Sequence, residues 1–247
     1  MNNTLLNASY IISIIIEIGV PITLAVYMWK KNRTSWAIFF LGMILFLISL
    51  IRIPLNNLFS SIIANNFSGD LVIILIGLFA SLTAGIFEEG VRVLAFGAII
   101  KPRSYNKGIM YGIGHGGGGE SMIFVAMSVL ISFIIYRFFP GILPTSLLVQ
   151  IAGVDWYIPL IGALERIFAI AIQISLSVLV MYAFLKRKYY FILISILYHM
   201  IIDFFSIYIN YKFGILLSEI SVFIFAVISV FIIYILRPRK EEIELKH

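Results

Sequence analysis

GIMYGIGHGGGGESMIF, residues 108–124, has the apolar character of a membrane helix but sets a histidine, four consecutive glycines and a glutamate into its first half. Hydrocarbon penalises every one of these, so a chain keeps them there only where they pack or react. A second stretch, GIFEEGVRVLAF (85–96), places two adjacent carboxylates and an arginine in another apolar run. A third, YHMIID (198–203), adds a histidine and an aspartate.

The whole chain shares the apolar background of these stretches. Its 247 residues are 62% hydrophobic and 12% charged, with mean hydropathy +1.07, far outside the range of a soluble domain. The expectation is an all-α polytopic membrane protein forming a single transmembrane domain over 1–247. Cysteine is absent, which excludes disulfides, thiolate zinc sites and cysteine nucleophiles, so any metal must be held by His, Asp or Glu. The first segment has no basic stretch and no small-residue cleavage site before it, and is expected to be a retained span.

Seven apolar runs approach or exceed the ~20 residues that cross a bilayer: 8–29, 36–55, 71–100, 108–137, 160–185, 189–210 and 213–236. The net charge of +6 resides mainly in short connections, WKKNR (29–33), KPRSYNK (101–107), KRK (186–188) and RPRK (237–240). That is a topology signal and not a nucleic-acid-binding stripe. The connections after the second and fourth runs carry no Lys or Arg. With basic loops inside, the N-terminus is expected outside and the C-terminus, with a short tail at 237–247, in the cytoplasm of a prokaryotic cell whose plasma membrane holds the chain. The connection at 140–159, with Trp156 and Tyr157, has the composition of a short interfacial helix.

Of three histidines, His115 and His199 lie inside the runs; so do Glu17, Glu88, Glu89, Glu120, Glu165, Asp203 and Glu219. At ~1.5 Å per residue, Glu88 and Glu89 sit roughly 18 to 20 Å from Lys101, His115 roughly 11 Å from the start of its run, and His199 roughly 15 Å from Tyr189. All three positions converge on the middle-to-cytoplasmic half of the bilayer. Glu88 and Arg92 are i and i+4, so the arginine is expected to hold Glu88 and leave Glu89, about 100° away, free. His199 and Asp203 share the same spacing and face one cavity. Gln173 falls at central depth, whereas Glu165 and Arg166 fall near the outer end of the fifth run and are expected to pair locally. Arg52, before Pro54, is expected to snorkel or pair. Glu17 and Glu219 suit interhelical hydrogen bonds. The glycines at 116–119 suit close helix packing, or an unwound backbone that takes a substrate strand.

EEGVR in one helix, GIGHGG in the next and HMIID in a later one together resemble the three motifs of the membrane-embedded type II CAAX prenyl endopeptidase and bacteriocin-processing superfamily. Within it they are most similar to the YhfC family of intramembrane metalloproteases, itself related to the PrsW proteases. The likeness spans about 70–210 and includes ERIFAIAIQISLSVLV (165–180). It implies a helical core around a cavity where a glutamate and histidines activate water to cleave a peptide bond in a membrane-associated substrate. Carried over by position, the catalytic set is Glu88, Glu89, Arg92, His115, His199 and Asp203. Asp203 stands where the prenyl endopeptidases have Asn, which adds an anionic ligand, and Gln173 stands where a further histidine would be expected.

On this resemblance Zn²⁺ is held by His115, His199 and a carboxylate, Glu88 or Asp203, with Glu89 as general base. A metal-free variant also suits these residues: a glutamate and His115 activate water while His199 and Asp203 position the oxyanion. Other classes use similar residues. A non-catalytic membrane binding or immunity protein of the superfamily would keep the motifs. A proton- or ion-coupled transporter would bury the same charges, although no inverted repeat is visible. A haem protein would use the two histidines, although the crowd of carboxylates opposes it.

Overall fold

The structure is a computed structural model that describes residues 3–142, 144 and 153–238. Among the described residues, seven helices are long and apolar enough to cross a membrane: Thr4–Asn32, Trp36–Asn66, Asp70–Ile99, Tyr105–Phe138, Ile158–Lys186, Tyr190–Phe213 and Ile215–Ile235. The protein is an all-α, multi-pass membrane protein. Its rim is apolar, with Ile15, Ile51, Leu193, Leu216 and Phe231 all more than half exposed, as lipid-facing side chains are.

The spans resolve into nine α-helices with two widened segments. α1 is Asn3–Asn32, α2 Trp36–Ser49, α3 Arg52–Asn66 and α4 Asp70–Leu94, which runs on as a π-helical turn over Ala95–Ile99. α5, Tyr105–Gly112, continues through a π-helix over Ile113–Ala126 into α6, Met127–Phe138. α7 is Ile158–Lys186, α8 Tyr190–Phe213 and α9 Ile215–Ile235. Local chemistry sets several boundaries. Ser35 caps α2 by accepting from the Ala37 N–H (3.1 Å), and Gly214, at φ 84°, makes the tight link from α8 to α9.

The second span runs on past its expected end at residue 55 and is broken inside. Pro54 has no N–H to give to Leu50, so the helix stops at Ser49 and restarts with proline tolerated in the first turn of α3. The break delivers Arg52 to the protein interior instead of a membrane surface. Residues 143 and 145–152 of the 140–159 connection, where an interfacial helix was expected, lie outside the described residues.

α7 is the axis. In its most apolar window 67% of residues are buried inside the protein, against 11–28% in the other spans. The larger core gathers Met28, Phe39, Phe96, Tyr111, Val178 and Met181 from α1, α2, the first π turn, α5 and α7. A smaller one joins Ile172 and Leu176 to Ile202, Val222 and Ala226 of α8 and α9.

The glycines at 116–119 lie where the π-helix meets its neighbours. A Cβ on Gly117 would stand 2.8 Å from Pro21 of α1, one on Gly118 2.9 Å from the Phe39 ring and one on Gly119 2.6 Å from Phe46, both of α2. A Cβ on Gly116 would overlap the Gln173 side chain of α7. All four are buried, so the expected backbone wall for a substrate strand is covered by helices, and packing is what these residues do.

Gly114→Ala would drive its Cβ into the Phe39 backbone and is expected to cost about 1–3 kcal/mol. Gly162→Ala, on α7 with nothing within 4 Å of its Cβ, is expected to be neutral or slightly stabilising. Thermal unfolding of the two variants in detergent checks the contrast.

Candidate active site

Three helices bring their polar residues together in a chain of pairwise contacts. α4 supplies Glu88, Glu89 and Arg92, the π-helix supplies His115, and α8 supplies Ser195, His199 and Asp203. Glu88 Oε2 lies 3.2 Å from His115 Nε2 and 3.9 Å from His199 Nε2. His199 Nε2 is in turn 3.6 Å from Asp203 Oδ2. Both histidines and both glutamates are buried, while the Asp203 side chain is about a third exposed.

The adjacent carboxylates are engaged differently from the sequence expectation. Arg92, wholly buried, bonds Glu89 through Nη1, Gln173 Oε1 through Nη2 and Ser177 Oγ through Nε (3.1 Å). Its approach to Glu88 is 4.0 Å. Positions i+3 and i+4 share a helix face, and the pull of Gln173 and Ser177 on α7 turns the guanidinium to Glu89. Glu89 is therefore the held carboxylate: Oε1 also meets His199 Nδ1 at 2.9 Å and Oε2 accepts from Ser195 at 2.6 Å. Oε1 thus accepts two hydrogen bonds and Oε2 one, which holds in place the carboxylate that the sequence left free. A carboxylate on Nδ1 fixes the ring, so the Nε2 edge of His199 faces Glu88 and Asp203.

Glu88 has a different partner, Arg52 of α3, whose Nη2 donates to Oε1 at 3.1 Å. Gln173 Nε2 spans Glu88 Oε2 (3.2 Å) and Glu120 Oε2 (2.8 Å), fulfilling its expected central place. Glu120 Oε1 accepts from Arg166 (2.7 Å), and Arg166 also pairs with Glu165. The outer pair is thus linked to the site and not merely local. A cavity of about 70 Å³ runs between these groups, lined by Glu120, Arg166, Gln173, His199, Asp203 and Ser206 among others, enough for a few waters.

Arg52 pairs, as expected, but with a site carboxylate that the sequence did not indicate, and sequence reasoning missed Ser177 and Ser195. A signal existed for the serines: Ser195, His199 and Asp203 repeat every four residues, as do Gln173 and Ser177. Arg52 carried none, because its place depends on the break at Pro54.

Among the described residues no three His, Asp or Glu side chains already close on one point as a metal shell; the approaches are pairwise. The donor set nevertheless suits a divalent ion, with imidazole nitrogens and carboxylate oxygens 3.2, 3.6 and 3.9 Å apart. Ligand atoms around tetrahedral zinc, with bonds of ~2.0–2.1 Å, stand about 3.3 Å apart.

Residues 15–228 match the family described as YhfC intramembrane metalloprotease. The chain belongs to that family. It is also 31% identical, over 199 residues covering 72% of this chain and 75% of the relative, to the uncharacterized membrane protein YhfC of Bacillus subtilis (strain 168). No solved structure matches it. The motifs that suggested YhfC membership are the residues that meet in the site.

Removing Arg92 from this YhfC protein leaves the Glu89 carboxylate buried and unpaired. Arg92→Met is expected to destabilise the fold by about 3–5 kcal/mol. Adding Glu89→Gln should recover a large part of that loss, and a double-mutant cycle on unfolding in detergent measures it.

Proposed function

We propose that this chain is an intramembrane endopeptidase that hydrolyses a peptide bond of a membrane-associated substrate, with a divalent metal, zinc by its donor chemistry, at Glu88. The approach of His115 Nε2 and His199 Nε2 to Glu88 Oε2, with Asp203 Oδ2 on the same His199 nitrogen, carries the reading. Membership of a family described as intramembrane metalloproteases supports it.

His115 and His199 with Glu88 or Asp203 would hold the ion. When bound, zinc lowers the pKa of a coordinated water to about 7 and polarises a carbonyl. The chain's own groups do the rest. Glu89 and Ser195 fix the His199 ring so that Nε2 faces inward, and Arg92 neutralises Glu89 so that this carboxylate stays in place. Arg52 anchors Glu88 by Oε1 and leaves Oε2 turned to the histidines. The carboxylate among Glu88 and Asp203 that does not bind the ion takes the proton from water and returns it to the leaving amine. Asp203, the more exposed of the two, lines with His199 the cavity that would supply the water.

Elemental analysis of detergent-purified protein is expected to find stoichiometric zinc in the wild type and none in His115→Ala or His199→Ala of intact helical content. In membranes of cells expressing the protein, new peptide N-termini should appear with the wild type and be absent with Glu88→Gln. Wild type that takes up no metal even from added zinc would remove the metal assignment, and identical termini with wild type and Glu88→Gln would remove the endopeptidase.

A further inference from the structure

A second polar feature lies away from the site, at the link between α1 and α2. A groove of about 650 Å³ is lined by Trp29, Lys30, Arg33, Thr34, Ser35 and Trp36. Arg33 takes the left-handed conformation (φ 50°), uncommon for a residue with a side chain, and this turns the chain so that the end of α1 and the start of α2 line one groove. Lys30 and Arg33 have no acidic partner among the described residues. The sequence supplies no Asp or Glu between Glu17 and Asp70. Lys31, the third cation of the link, is turned aside onto the Tyr27 hydroxyl (2.5 Å).

The observation that points to a ligand is Thr34. Its residue surface is 6% exposed, yet its hydroxyl has no hydrogen-bond partner. A buried hydroxyl without a partner is a cost that an incoming acceptor removes. Ser35, next to it, is spent on capping α2, so the spare donor is Thr34. Around it stand two cations and the positive end of the 14-residue helix α2, the setting that holds a phosphate. Trp29 and Trp36 flank the groove, and indole rings settle at the headgroup level of a bilayer. A small anion in water would leave those rings and most of the groove unfilled.

We propose that this groove binds the phosphate of an anionic phospholipid headgroup, with Lys30 and Arg33 matching its charge, Thr34 donating to a phosphate oxygen and the two tryptophans packing against the glycerol and upper acyl region. The proposal is independent of any reaction at Glu88.

The test uses full-length protein in detergent, mixed with phosphatidylglycerol, phosphatidylcholine or inorganic phosphate, with bound ligand counted by native mass spectrometry. Wild type is expected to retain phosphatidylglycerol in preference to phosphatidylcholine. Lys30→Gln and Arg33→Gln should each weaken that retention about fivefold. Thr34→Val, which keeps the shape and removes the hydroxyl, should weaken it about tenfold, the worth of one hydrogen bond to a charged group. Unchanged thermal unfolding of the lipid-free variants separates lost binding from lost fold. Equal retention by wild type and all three variants, or phosphatidylcholine held as tightly as phosphatidylglycerol, would overturn the site. Inorganic phosphate that displaces the lipid at equal concentration would overturn the lipid as its occupant.

Discussion

The buried guanidinium of Arg92 is the constraint on which the rest of the structure depends. A cation with none of its surface exposed, in a part of the protein that water does not reach freely, must have its charge and its N–H groups matched from within. Glu89 supplies the charge, and Gln173 and Ser177 supply acceptors from α7. Glu89 in turn needs its remaining capacity filled, which Ser195 and His199 of α8 do. One ion pair therefore fixes the relative depth and rotation of α4, α7 and α8. The orientation of His199 toward Glu88 follows from it.

The two adjacent carboxylates show how a single helical turn divides structure from chemistry. Neighbouring positions on a helix point about 100° apart, so Glu89 meets α8 and the arginine of its own helix while Glu88 meets the π-helix, α3 and Gln173 of α7. Every oxygen of Glu89 is committed to holding helices. Glu88 has one oxygen on Arg52, and its other meets only a histidine and an amide at hydrogen-bond range, both at 3.2 Å. An oxygen held that loosely between two imidazoles can exchange partners during a reaction, which a fully satisfied one does not.

The sequence made the membrane spans and the charged motifs legible because both are local. Seven apolar runs, the Glu-Glu-x-x-Arg set and the His-x-x-x-Asp pair need only composition and helical spacing to be seen. What it did not show was tertiary. Arg92 chooses Glu89 over Glu88 because of two acceptors on a helix some eighty residues away. Arg52 reaches Glu88 because a proline breaks its span, and nothing in the apolar run around it says which way the restarted helix leans. Glu165 and Arg166 read as an outer pair because their link to the centre passes through Glu120, whose phase a regular α-helix misplaces.

That phase is where the glycine run acquires its meaning. In an α-helix, residues five apart point about 140° away from each other, so His115 and Glu120 would serve different faces. In a π-helix the backbone bonds run from i to i+5, and residues five apart come nearly above one another. The segment Ile113–Ala126 is π-helical. Within it His115 reaches Glu88 and Glu120 reaches Gln173, which itself touches Glu88. Glycine is a poor helix former and supplies no side-chain contacts of its own. The widened turn must therefore be held from outside, by Pro21, Phe39, Phe46 and Gln173 closing on the bare backbone. Four glycines between a histidine and a glutamate are thus a spacing device as well as a packing surface: they let neighbouring helices clamp the one helical form that turns both side chains inward.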